Sequence, residues 1–177
     1  EKLLRKAIQL KPDFAIAYSN LGAIMNSLGK LDEAEIFTLK AIELKADWAK
    51  AYSNLGNIMR GLGKLKQAEI STNKAIELDP NLPDSYNNLG AIFNDLNRSK
   101  EAEIQYLKAT QLNPNNADIN LNLGITMSNN GKYEEAKNHL QKALSLNNNL
   151  SSAKSELISL KGIICDWSEQ EIYQNWI

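Results

Sequence analysis

Apolar residues recur at helical spacing along almost the whole chain. Tyr18, Leu21, Met25 and Leu28 follow i, i+3, i+7, i+10 and so share one face of a helix. Gly29-Lys30 then gives a turn signal, and Asp32 opens a second helix whose packed side carries Ala34, Thr38, Ala41 and Ile42. The pair of helices repeats with a fixed period of 34 residues. That step links Tyr18, Tyr52 and Tyr86; Leu21, Leu55, Leu89 and Leu123; and Gly22, Gly56, Gly90 and Gly124. It also links Ala34, Ala68, Ala102 and Ala136, and it carries Ala7 through Ala143 and Leu10 through Leu146. A glycine in mid-helix costs roughly 1 kcal/mol against alanine. Its recurrence therefore predicts a close helix crossing, with Ala34 on the facing helix.

A period of this length is the signature of a stacked repeat. With Tyr18, Leu21, Gly22, Ala34, Ala41 and their equivalents, and with Pro80 and Pro114 at unit ends, the chain resembles the tetratricopeptide repeat (TPR) family over roughly residues 1–150. The resemblance implies an all-α, right-handed superhelical solenoid. Residues 1–14 are expected to be the second helix of a truncated repeat. Full repeats are expected at 15–48, 49–82, 83–116 and 117–150, a capping helix at 151–161, and a linker with the start of a missing C-terminal domain at 162–177. Several positions depart from the family pattern. Thr38 and Thr72 stand at a site that is usually aromatic, Asn120 replaces the tyrosine, and Asn97 replaces the turn glycine.

Composition narrows the function. The 177 residues carry 20 Lys and Arg against 21 Asp and Glu, a net charge of -1. No global field attracts nucleic acid or an acidic membrane surface, and neither is an expected partner. One Cys and one His exclude a disulfide framework and a Cys/His zinc site. No metal, cofactor or catalytic residue is expected, and the chain as given reads as a binding module rather than an enzyme. His139 reads as a solvated residue and Cys165 as a packed small hydrophobe. A cytoplasmic location is the default expectation.

The face of the first helices opposite the packed stripe is rich in polar residues. Its first two copies present Ile16, Ser19, Asn20, Ala23, Asn26, Ser27 and then Lys50, Ser53, Asn54, Asn57, Arg60, Gly61. The third presents Asp84, Asn87, Asn88, Ala91, Asn94 and Asp95. One column does not vary: Asn20, Asn54, Asn88 and Asn122. A side-chain amide offers donors and an acceptor together, so it can pair with both groups of a peptide backbone. The expected site is therefore a peptide groove formed by this column with Asn26, Asn57, Asn87, Asn94, Lys50 and Arg60. Its partner would be an extended peptide or a disordered protein segment. Ser19 and Ser53 stand where a lysine clamp for a C-terminal carboxylate would be sought.

Asparagines just before the Leu-Gly pair also resemble the TPR region of O-linked N-acetylglucosamine transferases, as does the string Cys165-Asp166-Trp167-Ser168 after the array. That resemblance implies a substrate-recognition region for a glycosyltransferase. The alternative is a TPR scaffold, or a TPR region fused to another enzyme domain. Ser168 and Glu171 form a capping-box signature. The helix they start, with Ile172, Tyr173, Trp176 and Ile177 on one side, is expected to pack on the missing domain.

Overall fold

A computed structural model describes residues 1–164 of the chain. The expectations for Cys165, Trp167, Ser168 and the helix after them lie outside the described residues. Among the described residues the fold is all-α, with α1 (Lys2–Leu10), α2 (Ala15–Ser27), α3 (Leu31–Leu44), α4 (Ala49–Gly61), α5 (Leu65–Leu78), α6 (Pro83–Asp95), α7 (Ser99–Leu112), α8 (Ala117–Asn129), α9 (Tyr133–Leu146) and α10 (Ser151–Ile164). Two compact units divide it, residues 1–112 and residues 113–177.

In the first unit α2 pairs with α3, α4 with α5 and α6 with α7 as antiparallel hairpins. The first helices of successive hairpins also touch, α2 against α4 and α4 against α6, whereas the second helices α3, α5 and α7 do not touch one another. The closest packing between hairpins is of each second helix on the next first helix, α3 on α4 and α5 on α6, and the second helices splay from one another. In the second unit α8 pairs with α9, and α10 packs on both.

Each hairpin turn is a Schellman motif. In the first, the N–H of Lys30 reaches Met25 O at 2.9 Å and that of Gly29 reaches Asn26 O at 3.0 Å. These bonds satisfy the last carbonyls of α2 and need a left-handed residue at the turn. Gly29 supplies it at φ 72°, and Asn97 takes the same role at φ 59°. Asparagine is one of few non-glycine residues that tolerate that region, so the missing glycine does not disturb the turn.

The cores are small and local. Leu21, Met25, Ala34 and Ile58 are fully buried, with Leu4, Ile8, Ile24, Phe37 and Leu62 packed around them. A second cluster joins Leu55, Met59, Ala68 and Ile92. Each cluster borrows an isoleucine from the next first helix, so burying one repeat requires its neighbour. One residue of the expected stripe is misplaced. Leu28 is 58% exposed, because it is the C-cap residue where α2 unwinds into the turn.

The recurring glycines do lie at helix crossings. A Cβ built on Gly90 would stand 2.8 Å from Cε1 of Tyr106, and one on Gly124 would stand 2.7 Å from Cγ of Leu140. On Gly22 and Gly56 it would strike the hydroxyls of Thr38 and Thr72. A Cβ on Gly22 would also sit 3.2 Å from the carbonyl oxygen of Ala34, the facing residue expected from the sequence.

Candidate functional site

In the first unit, Asn54 and Asn88 lie along the seams between adjacent first helices. Nδ2 of Asn54 on α4 donates to Ser19 Oγ on α2 at 3.5 Å. One repeat later, Nδ2 of Asn88 on α6 donates to Ser53 on α4, at 3.2 Å to its carbonyl oxygen and 3.1 Å to Oγ. Asn20 is exposed, and Asn54 and Asn88 are half-buried. In the second unit Asn122 on α8 is half-buried at the same register.

Two sequence expectations need correction here. The helical pattern puts Ser19 and Ser53 on the open face, yet both are 2% exposed. The same pattern has the Asn54 and Asn88 amides standing clear of helix packing, yet their NH2 groups join neighbouring repeats. One cause accounts for both. First helices of the first unit pack on each other, so Ser19 and Ser53 beside the seam are closed over by the next helix.

The flanking candidates are also partly engaged. Arg60 grips Asp95 of the next repeat, with Nε at 2.6 Å from Oδ2 and Nη2 at 3.4 Å from Oδ1. This cation and this acid, separate charges in the sequence reading, neutralise each other across the seam. Asn94 bonds the Tyr106 hydroxyl, whose burial, opposed by that bond, pushes the phenol up to about 12. Asn26, Asn57 and Asn87 are half-buried along the same face, and Lys50 is exposed.

A second polar cluster lies in the unit of residues 113–177. Asn120 is fully buried where other repeats carry tyrosine. Its Nδ2 donates to the Pro114 carbonyl at 3.1 Å and to the Asn116 carbonyl at 2.8 Å. In the preceding hairpin the Tyr86 hydroxyl donates to the Pro80 carbonyl at 3.1 Å, so asparagine keeps the bond of the residue it replaces. Oδ1 of Asn120 faces His139 Nδ1 at 3.2 Å. With both donors on one side, that oxygen can only accept, which makes Nδ1 the protonated nitrogen of His139. His139 is therefore half-buried and paired, not solvated as its sequence neighbours suggest. Burial, with help from Lys142, holds it below the ordinary histidine range. The pair stands at the register of Tyr18 and Phe37, whose rings lie 6.5 Å apart. The single His, and an Asn in a Tyr column, are the signals that could have joined these two in the sequence.

No described helix is long and apolar enough to cross a membrane. Among the described residues, no group of three acidic, His or Cys side chains could hold a metal.

Paired helices at a 34-residue period, glycines at each crossing and first helices stacked side by side define a repeat protein of helical hairpins. The tetratricopeptide repeat family model matches residues 3–36, 72–104 and 105–138, and a second model of the same repeat matches 49–82. The chain belongs to the tetratricopeptide repeat family. No curated protein matches it significantly. Among solved structures, it is similar to YrrB, a TPR protein with an unusual peptide-binding site, at 24% identity and TM-score 0.69, over 93% of this chain and 85% of that one. It is similar to pilF of Pseudomonas aeruginosa at 28% identity and TM-score 0.77, over 83% and 67%. It is also similar to TTC0263, a thermophilic TPR protein of Thermus thermophilus, at 19% identity and TM-score 0.77, over 90% and 87%. These likenesses show the shared helical-hairpin fold.

Proposed function

We propose that the chain binds extended protein segments along its first helices, with the asparagine column as the backbone-reading element. The observation that carries this is the regular placement of Asn54 and Asn88 on adjacent, touching first helices. Packed helices lie about 8–10 Å apart, the span of about three extended residues. An amide that gives its NH2 to the neighbouring repeat retains Oδ1 as an acceptor for a peptide N–H. The same register recurs at Asn20 and Asn122. The likeness to YrrB, itself a peptide-binding TPR protein, is in keeping with this use of the fold. Asn26, Asn57, Asn87, Asn94, Lys50 and Arg60 would flank the peptide, with Arg60 acting as half of a neutral pair.

The test is a titration of the isotope-labelled chain with an unstructured peptide, followed through the asparagine side-chain resonances. Selective shifts of Asn20, Asn54 and Asn88 amides are expected. Shifts confined to residues on the second helices would reject the groove.

A finer reading makes this groove the substrate-recognition region of a glycosyltransferase of the O-linked N-acetylglucosamine type. It is supported by the asparagines preceding each Leu-Gly pair and by Cys165-Asp166-Trp167-Ser168. In that reading the repeat array holds substrate while a further domain carries the UDP-sugar chemistry. Residues 1–177 alone should then show no saturable binding of UDP-N-acetylglucosamine in calorimetry. Transfer of the sugar to a protein by the natural gene product would support the reading, and its absence there would leave the scaffold reading in place.

A further inference from the structure

The splayed second helices carry an apolar row that the peptide groove does not use. Ile36, Ile70 and Ile104 occupy one register on α3, α5 and α7, and they are 65%, 63% and 61% exposed. The glutamate beside each points the other way. Glu69 is half-buried and bound at 3.2 Å by Arg98, in the turn before α7, and Glu35 is bound by Lys64 at 2.8 Å. The first two Ala-Glu-Ile triplets thus turn an acid toward the next repeat and an isoleucine toward solvent, and in the third Glu103 is buried while Ile104 is exposed. A single exposed isoleucine is ordinary, but three of similar exposure at one register are a patterned surface.

The charges around the row are uneven. On α5 the isoleucine is bracketed one turn away on each side by Lys66 and Lys74, and on α7 by Lys100 and Lys108. On α3 the matching brackets are Asp32 and Lys40. Lys74 pairs with Glu77 at 3.0 Å. Among the described residues no carboxylate pairs with Lys66, Lys100 or Lys108, all of them exposed. The nearby acids are already engaged or buried: Glu69 and Glu101 hold Arg98, and Glu103 is 6% exposed. The outer side of α5 and α7 is therefore an apolar line between unneutralised cations. The salt bridge to Glu69 comes from Arg98 in the turn before α7 and lies on the side of α5 turned away from Ile70.

We propose that the outer face of α5 and α7 docks an acidic amphipathic helix of a partner protein, with Ile70 and Ile104 as apolar anchors and Lys66, Lys100 and Lys108 meeting its carboxylates. An amphipathic helix presents apolar residues on one stripe with charges beside them, which is the complement of this surface. The face is distinct from the first-helix groove, so the array could hold two partners at once.

The probe is a fluorescein-labelled, blocked peptide of about five helical turns, with leucines along one stripe and glutamates on both sides of it. A second peptide carries lysine in place of glutamate. Anisotropy titrations of the intact chain should show saturable binding of the acidic peptide only. Ile70→Ser and Ile104→Ser should each weaken it about tenfold or more, with unchanged circular dichroism and melting. Joint charge reversal by Lys66→Glu, Lys100→Glu and Lys108→Glu should abolish it and admit the lysine peptide. Asn54→Ala with Asn88→Ala should leave it unchanged, which separates this face from the groove. Failure of the acidic peptide to bind would overturn the proposal. So would binding that ignores both isoleucine substitutions, since charge alone would then explain it. Isoleucine-dependent sedimentation with phosphatidylserine-containing vesicles, without peptide binding, would overturn it in favour of a lipid surface. Concentration-dependent dimerisation lost in the isoleucine variants would do so in favour of a second copy.

Discussion

The helix crossing inside each hairpin and the seam between first helices both repeat every 34 residues, yet they repeat for different reasons. At the crossing, glycine is required by space: a methyl group on Gly90 would enter the ring of Tyr106. At the seam, asparagine is not required by space. Asn54 and Asn88 are half-buried, their bonds to Ser19 and Ser53 are only partly buried, and Asn20 at the same register is exposed. Uniformity enforced by packing needs no ligand. Uniformity at a position that packing only half closes is what the proposed peptide would account for, and this contrast separates the structural columns of the repeat from the candidate binding column.

The largest break in that contrast should come from the crossing. Gly90→Leu must displace the buried Tyr106 ring. Overpacking typically costs about 1–3 kcal/mol, and here it should reach at least the upper end and spread to neighbouring repeats. Thermal unfolding of the variant measures it, and an unchanged midpoint would show that the crossing can open at no cost.

Asn120 tests how a crossing-side position survives a change of chemistry. Asn120→Leu would leave the Pro114 carbonyl and His139 without their partner, a loss of about 1–3 kcal/mol for each buried polar group stranded. The double change Asn120→Tyr with His139→Phe copies the Tyr18 and Phe37 pair and should recover most of the stability. Two independent losses that simply add would mean the two residues are not coupled.

A pH series sharpens the same point. The folded-state pKa of His139 is lowered from 6.5 by burial. The unfolded chain therefore binds more protons as the pH falls below that value. Stability from the neutral His139 should be complete above pH 6.5 and decline as the pH falls through the folded pKa. Chemical denaturation of the wild type and of His139→Phe checks this, because the phenylalanine variant should lose that part of the slope.

The smallest effect concerns the threonines over Gly22 and Gly56. Thr38 and Thr72 are fully buried, and their hydroxyl oxygens have no hydrogen-bond partner. Thr72→Val keeps the shape and removes a stranded polar atom, so it should stabilise by about 0.5–1 kcal/mol. Destabilisation would mean that the hydroxyl is satisfied in solution.

The hairpins were legible in the sequence because period and packing coincide: Leu21, Gly22, Ala34 and Ala41 repeat, and all are buried. The turn at Asn97 was legible as a departure, and its left-handed backbone shows why it is tolerated. The seam was not legible. Ser19 and Asn54 are 35 residues apart, one more than the repeat, so the bond between them crosses from one repeat to the next. A face drawn on one helix cannot show that the following helix covers part of it. The same reason hides the pairing of Arg60 with Asp95, and it hides Asn120 with His139, which lie on different helices of one hairpin.

The central claim is that the asparagine column reads peptide backbone beyond its role in the seam. Its direct test compares two double variants in a binding titration beside a melting curve. Asn54→Ala with Asn88→Ala removes both the seam bonds and the amides, whereas Ser19→Ala with Ser53→Ala removes the Oγ acceptors and keeps the amides. Both should lose a similar, modest stability of about 0.5–1.5 kcal/mol per bond. Binding of an unstructured substrate segment should fall roughly fivefold to a hundredfold in the asparagine variant, and it should stay near wild type in the serine variant. Full binding by the asparagine variant, or an equal loss in both, would contradict the account and assign the column to the fold alone.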